Sequence, residues 1–409
     1  MRRTRSHLDS VARCIESLSG PWAVGLLGYL PLFVTGLVFY QATHGWYMAD
    51  LHTFREAAQD LVSGRPLYPP ADPAVLSLGD KFVYPPPVAY VFIPFAALPY
   101  SVATYLFACI VLAATLLVLY VLDVHDWRCY GATLLMAPTM VLLGAGAITS
   151  LLALGIALAW RYRDRPRMLA PVLAAVIVAK LFLWPLLVWL LVTRRVRAAV
   201  WTAGLAVLGV LGSWAVIGFE GLHDYPELLA TLADTLQKNA YSASGLGLHV
   251  GLSPGTAQLV GLALGGLVCL ACVKLRSGPE GDRRVLIAAL AASLFFSPLV
   301  WMHYFVLLLI PLALTRPRLT PLWLAPLAFW ATPFPGTDGL LWRTTTGLAV
   351  ATGLVGATLA RSRSALGTRQ GGAEASQKQP PPLGSPDPYL GSLEPSPEAT
   401  LMRIGRGSF

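Results

Sequence analysis

The chain reads as an all-α polytopic membrane protein, and three observations predict it. Of its 409 residues, 56% are hydrophobic and only 12% are charged. Its mean hydropathy is +0.61, whereas a soluble domain would carry about a quarter charged residues. The apolar residues are also gathered into recurrent runs, near 20–41, 100–122, 131–143, 147–160, 168–179, 183–193, 199–217, 254–274, 285–297, 302–314, 319–331 and 339–360. These are twelve candidate spans. The net charge of +9 does not indicate a nucleic-acid partner. The basic residues sit in short turns between apolar runs, where they report topology.

Residues 1–19 open with the basic MRRTR and are expected on the cytoplasmic side. No small-residue cleavage site ends the first apolar run, so it reads as a retained helix and not a signal peptide. Further basic clusters lie at Arg161, Arg163, Arg165 and Arg167, at Arg194, Arg195 and Arg197, at Lys274, Arg276, Arg283 and Arg284, at Arg316 and Arg318, and at Arg361 and Arg363. With twelve crossings all of them share the side of the N-terminus, which the positive-inside rule makes cytoplasmic. The opposite, extracytoplasmic side then receives a first large loop, 42–99, and a second, 218–253. It also receives the turns near 144–146, 180–182 and 298–301 and the loop 332–338. The run 86–98 would invert this order if it crossed, so it is expected to dip into the outer leaflet behind Pro85, Pro86 and Pro87.

Several runs are short. A span of 11–14 residues is about 16–21 Å long, against a hydrocarbon core of about 30 Å. Non-helical backbone at such depth is tolerated where it lines a cavity. The turns at 144–146, 180–182 and 298–301 are therefore expected to border a cavity sunk in the outer leaflet. After residue 360 the composition turns to Pro, Gly, Ser, Gln and Glu, and 361–409 is expected to be a disordered cytoplasmic tail. Cys269 and Cys272 form a CxxC inside an apolar run, which reads as packing.

The first outer loop carries the most information. It reads GWYMADLHTFREAAQDLVSGRPLYPP and then DKFVYPPPVAYVFIPFAALP. Asp50 stands just beyond the first span. It can cap the helix expected over 51–63, with Leu51, Phe54, Ala58 and Leu61 on its apolar face. It can also face a substrate, and the two readings are compatible. The nearest acid, Glu56, lies on later turns, so a carboxylate pair for a divalent metal is absent and no metal site is expected. Lys180 interrupts LAAVIVAKLFLWPLL; it either snorkels or meets an anionic headgroup at a sunken turn. His303, in SPLVWMHYF, is an interface residue or a hydrogen-bond donor and proton relay. Trp301 and Tyr304 belong to an aromatic belt or form a wall for a sugar face. In the second loop Gln237, Asn239 and Ser242 form a polar patch suited to hydroxyls, while Asp224, Glu227 and Asp234 read as a solvated face.

These segments, in this order, resemble glycosyltransferase family 87, integral-membrane enzymes of the GT-C class. The resemblance covers about residues 20–360. It rests on Asp50 followed by FREAAQDLVSGRPLY, on FVYPPPVAYVFIPFAALP, on the glycine turn in GAGAITSLLALGIAL, and on AKLFLWPLLVWLLVTRRVRA, QKNAYSASGL and SPLVWMHYFVLLLIPLA. Relatives often carry Gly-Gln at the turn where this chain has Gly144, Ala145 and Gly146. The resemblance implies a GT-C catalytic domain over 20–360 in a multi-pass cell-membrane protein, with its site facing the extracytoplasmic side. It implies α-mannosyl transfer from a polyprenyl phosphate donor to a glycolipid or lipoglycan acceptor. It assigns Asp50 as catalytic base, His303 as a second catalytic residue and Lys180 as the donor-phosphate ligand. Tyr68, Tyr84, Gln237, Asn239 and Trp301 are the accompanying substrate-binding candidates. No cofactor is expected, since no second acid stands beside Asp50 to hold a metal; and because the phosphate would leave as an anion, no general acid is needed and one carboxylate suffices. An arabinosyl or glucosyl transferase shares this logic. A transporter is disfavoured because no half-to-half repeat is visible, and a scaffold would leave the polar residues at the sunken turns unexplained.

Overall fold

The computed structural model describes residues 20–45, 48–79, 81–332 and 341–376. The expectations for residues 1–19 and for the tail beyond 376 lie outside the described residues. Among the described residues every regular element is a helix. The chain forms two units, Met1–Arg363 and Ser364–Phe409, and the helical bundle is the first.

The segment Pro21–Val62 and the helices Tyr100–Val121, Val196–Val216 and Pro254–Leu275 are long and apolar enough to cross a membrane. Ala137–Ala145 and Thr149–Arg161 make a fifth crossing if taken as one span, but they bend by 117° at the glycine turn. Other apolar runs fold as the shorter helices Pro166–Ala179, Leu181–Val192, Met302–Thr315 and Pro321–Ala331. Helix lengths thus give four to five crossings where the sequence shows twelve apolar runs. The difference arises at interruptions that hydropathy does not weigh, such as Gly146 in the left-handed region and Pro185 between two short helices. The last helix, Leu341–Ser376, continues past 360, where the sequence predicts disorder. A helix nucleated in the apolar run extends at little cost through residues such as Ala365 and Leu366.

The run 86–98 folds as two short helices, Pro86–Val91 and Ile93–Ala96. At 6 and 4 residues neither can span a bilayer. The N-terminal helical segment passes through a π-helical turn, Gly25–Tyr29, against which Trp127–Leu134 packs. A Cβ on Gly131 would lie 1.8 Å from the Leu27 carbonyl oxygen, so only glycine allows this backbone contact.

The basic turns are more than topology signals. Asp282 accepts from Trp189 Nε1 at 2.7 Å and from both terminal nitrogens of Arg195 at 2.9 Å. Arg195 also bonds Asp164 at 2.9 Å, and Arg163 lies 3.2 Å from Asp282. This network ties four helix ends together on the face expected to be cytoplasmic. Asp126 caps Trp127–Leu134 and also accepts from Leu319 N at 2.9 Å, fixing a distant turn. Cys272 is buried with its thiol 3.9 Å from the Val285 carbonyl oxygen.

Candidate active site

The site is built from four segments. The first is the helix Ala49–Val62, whose buried face carries Leu51, Phe54, Ala57 and Ala58. Its N-cap is Met48, so Asp50 lies within the first turn and is not the cap. A carboxylate there still gains from the helix dipole. Buried Arg55 staples this helix to the segment behind it: its Nε donates to the Phe95 carbonyl at 2.9 Å and its Nη2 to the Leu98 carbonyl at 2.6 Å. Gly146, the left-handed residue of the glycine turn, packs beside Leu51; a Cβ there would stand 3.0 Å from the Leu51 Cβ. The glycine turn and the Asp50 helix are therefore in direct contact.

The second segment is 81–84. Tyr68 Oη donates to the Tyr84 carbonyl at 3.0 Å and Tyr225 Oη to the Val83 carbonyl at 2.9 Å. The third is the extended stretch before Met302–Leu308. It is tied to the second loop where Ser242 Oγ donates to the Pro298 carbonyl at 2.6 Å and Tyr241 N to the Val300 carbonyl at 2.7 Å. The fourth is the start of the last helix.

With the helix Ala137–Ala145, residues 76–79 and 330–332 and the second loop, they line a cavity of about 570 Å³. Asp50, Tyr84, Asn239, Trp301 and His303 all line it. The sequence candidates from both loops and from the 298–303 stretch thus converge on one space. Ala145 and Leu299 line it too, so the turns at 144–146 and 298–301 border the cavity as expected. The turn at 180–182 does not. Lys180 lies behind the wall, 9% exposed, and its ammonium donates to Tyr84 Oη at 2.9 Å and to Tyr304 Oη at 2.5 Å. It also sits 4.4 Å from each of those ring centroids. Tyr68 stands behind Tyr84, holding its backbone, within an aromatic group that includes Trp214 and Tyr225. Gln237 is buried just outside the lining, with neither amide atom hydrogen-bonded among the described residues. Asp224, Glu227 and Asp234 face solvent, as their sequence pattern predicts.

The charges act on one another through space. The Asp50 carboxylate acts electrostatically on Tyr84, Tyr304 and Lys180, and Lys180 acts on His303. Burial pushes the Tyr84 hydroxyl well above its usual range, and the charge of Asp50 adds to the push. Tyr84 therefore stays protonated and accepts from Lys180 while keeping its own proton to donate. His303 is 6% exposed, and its Nε2 finds no partner among the described residues. A buried ring nitrogen on a cavity wall is a site that a bound polar group would satisfy.

Two cations on the cavity wall, Lys81 and Arg343, were not among the sequence candidates. The signal that finds them is topological. Both lie on the side expected to be extracytoplasmic, which the positive-inside rule leaves poor in basic residues, so the expected topology does not account for them.

No curated protein and no solved structure matches the chain. The family model of glycosyltransferase family 87 matches residues 82–301, which include Tyr84, Lys180, Gln237, Asn239 and Trp301. Asp50 lies before the matched stretch, and His303 and Arg343 lie after it. With more than half of its length matched, and with apolar helices long enough to cross a bilayer, the chain belongs to glycosyltransferase family 87 and is a membrane glycosyltransferase.

Proposed function

We propose that this chain transfers a mannosyl residue from a polyprenyl phosphate donor to a hydroxyl of a glycolipid or lipoglycan acceptor, on the extracytoplasmic face of the cell membrane. The observation that carries this reading is the composition of the cavity wall. Asp50 is the only acid among the described lining residues, and it shares the wall with His303, Tyr84 and two cations. Hydrolysis by inversion uses two carboxylates, one of them a general acid for the leaving oxygen. A phosphate leaving group departs as an anion and requires no such acid, so a single carboxylate suffices. Among the described lining residues no second acid accompanies Asp50 to hold a divalent ion either.

In this mechanism the acceptor hydroxyl gives its proton to Asp50 as its oxygen bonds to the anomeric carbon. The bond from that carbon to the phosphate oxygen breaks, and its electron pair leaves with the phosphate. Direct displacement inverts the anomeric centre, so a β-linked donor gives an α-product. His303 offers Nε2 to the reacting groups, and Lys180 orients Tyr84 against Asp50 from behind. The GT-C architecture with twelve crossings accompanies this proposal: the short helices around the cavity would then be crossings that end inside the membrane and hold the cavity open to lipid.

Asp50→Asn tests the reading. Purified protein is incubated with labelled polyprenyl phosphate mannose, arabinose and glucose in separate reactions with a lipid acceptor extract. The wild type is expected to transfer mannose. The Asn variant is expected to lose at least about 100-fold in turnover while keeping the wild-type unfolding temperature. Full turnover in the variant would refute the role of Asp50, and transfer of another sugar alone would refute the donor.

A further inference from the structure

We infer that Arg343, with Lys81, holds the phosphate of the lipid-linked donor, and that Lys180, expected from the sequence to be its ligand, does not touch it. The inference rests on the proposed transfer and names the residues that anchor its leaving group. Three independent observations lead to it.

The first is placement. Lys81 and Arg343 line the cavity that contains Asp50, whereas Lys180 lies behind Tyr84 with its ammonium already engaged by two hydroxyls and two rings. A leaving phosphate carries negative charge that grows as the bond breaks, and it needs donors that reach it. A guanidinium presents a planar fork that matches a phosphate and stays charged at every working pH.

The second is construction. The last helix begins at Leu341, and its fourth turn-mate after Arg343, Gly347, faces Tyr241. A Cβ on Gly347 would stand 2.7 Å from Tyr241 Cδ1. The missing side chain lets the helix lie directly on the Tyr241 ring, which brings Arg343 and buried Thr344 onto the cavity wall one turn earlier. Tyr241 is itself anchored to the 298–303 stretch through Val300. The charge of Arg343 reaches the Tyr241 hydroxyl. The arginine is therefore mounted on the same frame as Trp301 and His303.

The third is the wall itself. His303 Nε2, buried and without a partner among the described residues, opens on the same cavity. His303, Arg343 and Lys81 thus bring polar groups from three separate segments to the lining of one cavity. The acid is on a fourth.

The test measures binding as well as turnover. Purified wild type, Arg343→Gln, Arg343→Lys and Lys81→Gln are titrated with polyprenyl monophosphate and, separately, with uncharged polyprenol. Michaelis constants for donor and acceptor are measured in parallel. Arg343→Gln is expected to lose about tenfold or more in affinity for polyprenyl monophosphate, with polyprenol binding unchanged. Arg343→Lys is expected to recover part of the loss, and Lys81→Gln to lose less than Arg343→Gln. The donor KM should rise while the acceptor KM holds. Unaltered monophosphate binding in Arg343→Gln overturns the inference, as does a rise in acceptor KM alone, which would place a lipid acceptor headgroup there. A wild type that binds the monophosphate through Arg343 but transfers no sugar would remove the proposed function and leave the anion site standing. A wild type that binds no monophosphate removes both.

Discussion

Lys180→Met is the most informative single perturbation outside the cavity. Methionine keeps the length and apolar stem of lysine and removes only the ammonium. Two hydrogen bonds from a charged donor are lost, to Tyr84 and Tyr304, and each is worth about 1.5–3 kcal/mol. Contact with the two ring faces adds about 2 kcal/mol when desolvated. Against this, burying the ammonium carries a desolvation penalty of several kcal/mol, which the variant no longer bears. The gains and the penalty nearly cancel. What survives is the Tyr304 hydroxyl, which is buried and loses its donor, at about 1–3 kcal/mol. Tyr84 differs because it lines the cavity and can turn to solvent. The variant is expected to unfold a few degrees earlier. Its turnover is expected to fall by about 10- to 100-fold, because Tyr84 beside Asp50 is no longer held. Donor and acceptor KM should change equally. Tyr84→Phe should lower turnover similarly, and the double variant should fall short of the product of the two losses, since both act through one contact. A selective rise in donor KM at unchanged turnover would refute the argument, because it would mean that the ammonium meets the phosphate directly.

Two further outcomes concern the frame. Gly131→Ala drives a methyl group into the Leu27 carbonyl oxygen, and no rotamer can relieve the clash. It is expected to destabilise the protein by about 3 kcal/mol or more, whereas Gly28→Ala, whose nearest atoms would be 3.6 and 3.8 Å away, should be tolerated; thermal unfolding in one detergent compares them. For Asp126, burial raises the carboxyl pKa, but bonds from Arg128 and Leu319 N outweigh it and hold the group below the usual carboxylate range. A folded-state pKa below the unfolded one stabilises above the unfolded value of about 4 and fades as pH falls through the folded value. Asp126→Asn should therefore lower stability by about 1–3 kcal/mol at pH 7, with the difference from wild type shrinking below about pH 4; a constant difference across that range would show that the charge is irrelevant.

The sequence by itself determined the class of the protein and much of its site. Apolar runs with few charges dictate helices in a bilayer, because no other local structure satisfies the backbone there. The amphipathic period after Asp50 placed its helix within two residues, 51–63 expected against Ala49–Val62 observed. Asp50, Tyr84, Asn239, Trp301 and His303 could be singled out because polar groups at the ends of apolar runs require a reason. Tertiary structure decided what local pattern does not encode. Hydropathy counts runs but does not say where a glycine or proline bends them, so twelve runs became four to five helices of crossing length. Lys180 and Tyr68 looked like cavity residues. Which side of Tyr84 they occupy depends on packing between segments 96 residues apart for Lys180 and 16 apart for Tyr68, and they stand behind it. Arg343 was passed over because it stands in an apolar run, where a lone cation near the outer end was not weighed; the fold puts it on the lining of the cavity that holds Asp50, one turn before the close approach of Gly347 to Tyr241.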